Sequence, residues 1–403
     1  MQRLQYGMLR IRDDELQWDV GPNRGGGPTA EIRVHDFRFY RQLALQGTLG
    51  AAEAYLDGWW STDDLVSLFR LLASNSEVLF RMDGVLPRFR RGLDVWSHFF
   101  RRNTLRGSQR NIAAHYDLGD DFYALFLDKT MTYSAGVFPH PDSSLAEASL
   151  EKYDRICRKL RLTPNNHLLE IGTGWGGFAQ YAAKNYGCRV TTTTISSHQW
   201  RYARTRIQQA GLQERVTVLS EDYRKLTGCY DHIVSIEMIE AVGYEYLDHF
   251  FRQCSRLLRA DGMLLLQAIT IPDHRFTHYR RSVDFIQKYI FPGGCLPSLS
   301  ALGNAVGRTT DLRFIHLEDF GIHYAETLSR WRKNFWRNID QIRSLGFDER
   351  FIRMWHYYLC YCEAGFLDNQ IGVVQVLLAK PKCHRRPLLW QEDHPVSTPR
   401  EIS

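Results

Sequence analysis

His167-Leu168-Leu169-Glu170-Ile171-Gly172-Thr173-Gly174-Trp175-Gly176-Gly177 is the stretch on which the reading of this chain turns. Its first five residues form a short, largely apolar run suited to a buried strand, and glycines at 172, 174 and 176 follow at once. A glycine-rich turn between strand and helix lets the backbone curl without a Cβ penalty and approach a ligand closely. Helical spacing resumes over Phe178 to Asn185. Beyond it come a strand over Arg189 to Thr194, a helix over Ser197 to Ala210, and strands over Val216 to Ser220 and His232 to Ile236. A helix over Tyr246 to Leu258 and a strand over Gly262 to Ile269 continue the pattern. A last strand is expected at Val373 to Lys380, after a mostly helical insertion. Such alternation predicts an α/β fold whose parallel sheet is covered on both faces.

Two ligands compete for the glycine loop. Glycines at 172, 174 and 177 satisfy a dinucleotide fingerprint, and the same loop suits the amino-acid end of S-adenosylmethionine. Context favours the second. Glu170 lies inside the first strand, where its carboxylate reaches toward an ammonium through the loop. A dinucleotide site wants an acid ending the second strand, but the sequence there is Thr191-Thr192-Thr193-Thr194-Ile195-Ser196. Asp222-Tyr223 after the third strand offers an acceptor and an aromatic wall suited to adenine.

Working outward, residues 1–75 form a first unit, with a loop at Gly21 to Pro28 and a strand at Glu31 to Phe37. Residues 76–111 are a basic, aromatic linker, residues 112–380 the cofactor-binding domain, and residues 381–403 a mobile tail. Net charge is only +6 over 403 residues, yet residues 78 to 110 carry eight arginines against two aspartates. Interleaved with them are Phe80, Phe89, Trp96, Phe99 and Phe100. That mixture suits an anionic bilayer surface or a solvated face beside ordinary core, and no nucleic-acid module is recognisable. The eight cysteines form no CxxC pair and show no metal-ligand spacing, so reduced thiols and no metal are expected. No apolar run reaches membrane-spanning length and Met1 to Tyr6 lacks a signal's apolar stretch, so a cytoplasmic protein is expected.

Glu170 to Gly177, Thr194-Ile195-Ser196-Ser197-His198-Gln199, Asp222-Tyr223-Arg224, Glu240-Ala241-Val242-Gly243 and Tyr289 to Ser298 (YIFPGGCLPS) together resemble the cyclopropane-fatty-acyl-phospholipid synthase family. His115-Tyr116-Asp117-Leu118, Thr132-Tyr133-Ser134, Gly47-Thr48-Leu49-Gly50 and Tyr55-Leu56-Asp57-Gly58-Trp59-Trp60 extend the resemblance over nearly the whole chain except its ends. It implies a Rossmann-like class I methyltransferase with a mostly parallel seven-stranded sheet, a helical insertion and a small N-terminal domain for dimerisation or membrane engagement. It also implies a cytoplasmic enzyme, often a homodimer, peripherally associated with the membrane, that adds a methylene from S-adenosylmethionine across the cis double bond of an unsaturated phospholipid acyl chain. Position by position, Tyr133 and Ser134 would meet the methionine and sulfonium end, and Gly172, Gly174 and Gly176 the cofactor backbone. Thr194, Ile195 and Gln199 would meet ribose and adenine, and Tyr223 and Ile236 would sandwich the adenine.

An isolated alkene is a poor nucleophile, so such a site must hold the sulfonium methyl against the π bond, exclude water and stabilise a carbocation. Ring closure then requires a base. In the family that base is taken to be bicarbonate, held by a glutamate, a histidine, a tyrosine, a cysteine and backbone groups. Glu240 and Tyr324 match the glutamate and tyrosine, and Ile269 a backbone contributor. Alanine stands at 135 in place of the cysteine and Gln267 in place of the histidine, which removes a side-chain partner and a titratable ring. Hydride shift to a methyl-branched or exomethylene chain is the alternative outcome, and a soluble small-molecule substrate the rival reading. Cys362 aligns with a cysteine often proposed as essential, although alkene methylation needs no thiol nucleophile.

Overall fold

The structure is a computed structural model that describes residues 4–14, 16–22, 27–75 and 118–384. The linker 76–111, His115 to Asp117 and most of the 381–403 tail lie outside the described residues.

Near the N-terminus β1 (Met8–Arg12), β2 (Gln17–Val20), β3 (Thr29–Val34) and β4 (Trp60–Ser61) form a sheet in the order β2-β1-β3-β4. The strand expected to reach Phe37 stops at Val34. Asp36 ends it: its carboxylate accepts the Arg38 N–H at 2.9 Å and turns the chain into the helix Arg38–Leu56. Asp64 caps a second helix, Leu65–Ser74, whose Leu65, Leu68, Phe69 and Leu71 are buried at helical spacing. Phe69 and Tyr55 meet Tyr357 of the later helix Glu349–Leu367, with ring centroids 4.8 and 5.6 Å apart. This first unit therefore shares a continuous hydrophobic core with the later helices. The ion pairs Glu53–Lys288 at 2.7 Å and Asp57–Arg350 at 3.0 Å pin it from outside.

The main sheet holds β5 (His167–Ile171), β6 (Arg189–Thr193), β7 (Val216–Leu219), β8 (Tyr230–Ile236), β9 (Leu258–Thr270), β10 (Arg313–Asp319) and β11 (Gly372–Ala379). Their order is β7-β6-β5-β8-β9-β11-β10, and β11 alone runs against the rest. This is the mostly parallel seven-stranded α/β sheet that was expected. The strand missed by the periodicity, β10, is an edge strand with exposed Arg313, Phe314, Ile315 and Leu317.

Strand order reverses between β5 and β8, so a crevice opens at their carboxyl ends, where α/β sheets bind ligands. Register places Glu170 between Thr192 and Val234, and Gln267 between Ile236 and Gln375. The helices Gly321–Arg337 and Glu349–Leu367, inserted between β10 and β11, pack together and supply a further wall. Among the described residues no helix is long and apolar enough to cross a membrane.

Candidate active site

A cavity of about 1130 Å³ lies along that crevice. One small ligand ordinarily occupies a cleft of about 300–1,000 Å³, so this space suits more than one. Tyr133, Ser134, Glu170, Gly172, Gly174, Thr194, Ile195, Gln199, Asp222, Tyr223, Ile236, Glu240, Ile269, Tyr324 and Cys362 all line it. Two expected site residues do not. Gly176 turns the loop at φ +80°, where an added Cβ would come within 3.1 Å of the Ala203 Cβ, so it is a packing glycine. Gln267 is fully buried behind the wall.

The cofactor end is built from strand termini. Gly172 adopts φ +103°, a conformation that disfavours any side chain, and brings the backbone to the cavity. Glu170 is buried and accepts the Thr192 hydroxyl at 2.6 Å; burial pushes its carboxyl up to about 8. Ser196 caps the helix Ser197–Gln209, which fixes Gln199 against the Thr194 hydroxyl at 3.1 Å. Asp222 is less free than the sequence suggests. Arg224, two residues on, clamps its carboxylate at 2.6 and 2.8 Å, leaving only its remaining lone pairs for a ligand.

At the other end stands Glu237, a residue that sequence reasoning passed over. It ends β8 at φ +48°, the left-handed region that costs a non-glycine residue about 1–2 kcal/mol. Its carboxylate lines the cavity and accepts three hydrogen bonds: from the Ala135 N–H at 2.9 Å, the Gln267 amide at 2.7 Å and the Tyr324 hydroxyl at 2.8 Å. Gln267 is oriented by the Gln375 amide, which donates to its carbonyl at 3.0 Å, and Lys159 in turn donates to Gln375 at 2.7 Å. Lys152, fully buried, donates to Ser134 at 2.6 Å, and its positive charge favours the ionised form of Glu237. Burial pushes Lys152 down to about 8, against the pull of Glu237, Asp128 and Glu170. Burial raises Glu237 as well, with Lys152 and its three donors opposing the rise.

Glu240 sits one turn on. Its Oε1 accepts the Ile269 N–H at 2.5 Å, while its buried Oε2 has no partner among the described residues. Burial, with Glu237 adding to it, pushes this carboxyl up to about 8. Cys362 lines the cavity as a half-buried thiol, and desolvation pushes its ionisation well up, which favours the neutral thiol. Aromatic side chains cluster at this end of the cavity: Tyr133 lies 5.2 Å from Trp331 and 6.5 Å from Phe291, and its hydroxyl meets that of Tyr358 at 2.8 Å.

The groups expected to hold bicarbonate are thus engaged by the chain itself. The Tyr324 hydroxyl and the Gln267 amide donate to Glu237, and the Ile269 N–H donates to Glu240. The residues present do not fit a separate bicarbonate there. What the arrangement can do chemically is hold a carboxylate, oriented by three donors, in a chamber with aromatic lining that joins a glycine-loop cleft.

Comparison with known proteins agrees with this architecture. Residues 103–376 match the family described as mycolic acid cyclopropane synthetase. The chain belongs to that family. Cyclopropane-fatty-acyl-phospholipid synthase of Escherichia coli is 35% identical over 91% of this chain and 92% of its own. Tuberculostearic acid methyltransferase UfaA1 of Mycobacterium tuberculosis is 40% identical over 84% of this chain and 81% of its own. Among solved structures, mycolic acid cyclopropane synthase CmaA1 complexed with SAH and CTAB superposes with a TM-score of 0.63. It is 33% identical, and the match covers 68% of this chain and 98% of that one. As a cyclopropane synthetase family member, the chain is an S-adenosylmethionine-dependent lipid methyltransferase with the class I fold.

Proposed function

We propose that this enzyme transfers the methyl carbon of S-adenosylmethionine to the cis double bond of an unsaturated phospholipid acyl chain and closes it to a cyclopropane. The observation that carries this reading is the junction of two chambers in one cavity, the glycine-loop cleft and the aromatic chamber around Glu237. Tyr133, Ser134, Glu170, Gly172, Gly174, Thr194, Ile195, Gln199, Asp222, Tyr223 and Ile236 hold the cofactor in the first. S-Adenosylmethionine supplies an electrophilic methyl group when bound. Tyr133, Phe291 and Tyr324 line the space beyond and stabilise positive charge on the acyl chain. Beneath the N-terminal sheet the cavity runs on between Leu9, Ile32, Phe39, Leu43, Leu68 and Phe69, an apolar arm suited to hydrocarbon. Residues 76–111 bring the enzyme to the bilayer surface, and the functional form is a peripheral, cytoplasmic homodimer.

The 40% identity to a protein named as a tuberculostearic acid methyltransferase favours a second reading, a methyl-branched or exomethylene chain from the same lipid. Mass spectrometry of total fatty acids, from a host lacking such an enzyme and expressing this one, separates the two. One added CH2 with the double bond lost supports the ring. A branch, located by chemical derivatisation, supports the second reading. Unchanged lipids with cofactor binding intact would refute both and point to a soluble substrate.

A further inference from the structure

We propose that Glu237 is the built-in base of this enzyme, its side-chain carboxylate doing the work that a bound bicarbonate would otherwise do. The inference rests on the acyl-chain reading above. Three donors converge on the carboxylate: a main-chain N–H at Ala135, a primary amide at Gln267 and a phenol at Tyr324. They are a nest for a planar oxyanion, and the oxyanion in it is covalently part of the chain. Gln267 cannot titrate, so it stays a donor across the working pH range, and Gln375 behind it fixes which way its amide faces. Alanine at 135 leaves its N–H to Glu237 and places no side chain in the nest. The two apparent defects of the anion site, Ala135 and Gln267, are the complement of Glu237.

The backbone is an independent observation. Glu237 is one of four non-glycine residues at positive φ among the described residues, and it alone of the four both ends a sheet strand and lines the cavity. Glycine would relieve that strain; a glutamate held there against it is spent on placing a carboxylate. Glu240 is held less firmly: only the Ile269 N–H donates to its Oε1, and its buried Oε2 has no partner among the described residues, so one donor orients it where three orient Glu237.

In the reaction, the methyl carbon bonds to one alkene carbon as its bond to sulfur breaks, and the sulfur keeps that electron pair as a neutral thioether. The second alkene carbon becomes cationic. Glu237 removes one proton from the new methyl group, and the freed C–H pair forms the second ring bond. The proton rests on Glu237 and passes to water when the product leaves.

The test uses the full chain, vesicles of phosphatidylglycerol with oleoyl chains, and buffer stripped of carbonate. Wild-type turnover is expected to be the same with and without added bicarbonate. E237Q, which keeps size and loses basicity, is expected to lose turnover about 100-fold or more while still binding S-adenosylmethionine by calorimetry. Independent of any lipid, 13C-bicarbonate NMR is expected to show no binding to the wild type and saturable binding to E237G, whose vacated nest keeps its donors. Bicarbonate binding to the wild type, bicarbonate-dependent turnover, E237Q within tenfold of wild type, or E237G binding no more bicarbonate than wild type would each overturn the proposal. If the wild type leaves oleoyl chains unmodified, the acyl-chain reading has failed, and the NMR comparison still judges the nest.

Discussion

Replacing Tyr324 with phenylalanine removes one oxygen from the site and little else. The ring stacks on Phe366 with centroids 4.5 Å apart and meets Trp331 edge-on at 6.1 Å, contacts that a phenylalanine ring would keep. What is lost is the hydroxyl hydrogen bond to Glu237 Oε2 at 2.8 Å. A neutral donor to a buried carboxylate contributes about 1.5–3 kcal/mol to its charged form. At about 1.4 kcal/mol per factor of ten, that is a ten- to hundredfold loss of preference for the charged form, so the Glu237 carboxyl rises further. The sign follows from which form works: the base must be ionised, so loss of a donor to the carboxylate moves the rising limb of the pH–rate profile to higher pH. The charged and titratable groups around Glu237 are Lys152, Glu240 and Tyr324 itself, and burial beside Glu237 keeps the Tyr324 hydroxyl protonated throughout. Initial rates on oleoyl vesicles should fall about ten- to hundredfold near neutrality for Y324F and recover part of the loss as pH rises. A uniform loss at every pH, or an unshifted limb, would refute the reasoning.

Further outcomes follow from the same geometry. Burial lifts Glu170 from 4.5 to about 8, so its ionisation destabilises the fold; that cost is absent below about pH 4.5, grows with pH and levels off above about 8. Thermal unfolding of the ligand-free chain should therefore show Glu170→Gln gaining on the wild type as pH rises through that window, and a gap independent of pH would contradict this. Cys362→Ala should keep turnover within about threefold, because a thiol whose ionisation is pushed up by desolvation supplies no nucleophile; loss of activity together with retained cofactor binding would show otherwise. Changing Arg88, Arg90 and Arg91 together to serine should weaken sedimentation with anionic vesicles and flatten its salt dependence; unchanged sedimentation would remove the linker from membrane binding.

The parts of the fold legible in the sequence were those with local signals. β5 and β9 are near-continuous apolar runs bounded by turns, and the glycines of 172–177 mark the first crossover. β10 escaped because an edge strand carries charge on both faces: Arg313, His316, Glu318 and Asp319 hide its apolar positions. Within the site, the residues named from the glycine loop and those named from the family resemblance line one cavity, with Gly176 and Gln267 as the exceptions. Glu237 was invisible for two reasons. A left-handed backbone conformation at glutamate leaves no mark in the sequence, and its donors come from three distant segments that only the folded sheet brings together. The signal available was the Glu-x-x-Glu spacing of Glu237 and Glu240, two acids next to a strand end. Lys152 was hidden in the same way, since a lysine on the amphipathic helix Leu145–Leu160 reads as a solvated position until its neighbours are known.

In the proposed reaction a methyl group is delivered to an acyl double bond and then loses one proton to the enzyme. Mass spectrometry of oleoyl phospholipid treated with this enzyme and S-adenosylmethionine carrying a trideuterated methyl group tests it most directly. The expected product retains two of the three deuterium atoms and no longer has the original double bond. Retention of all three would contradict it.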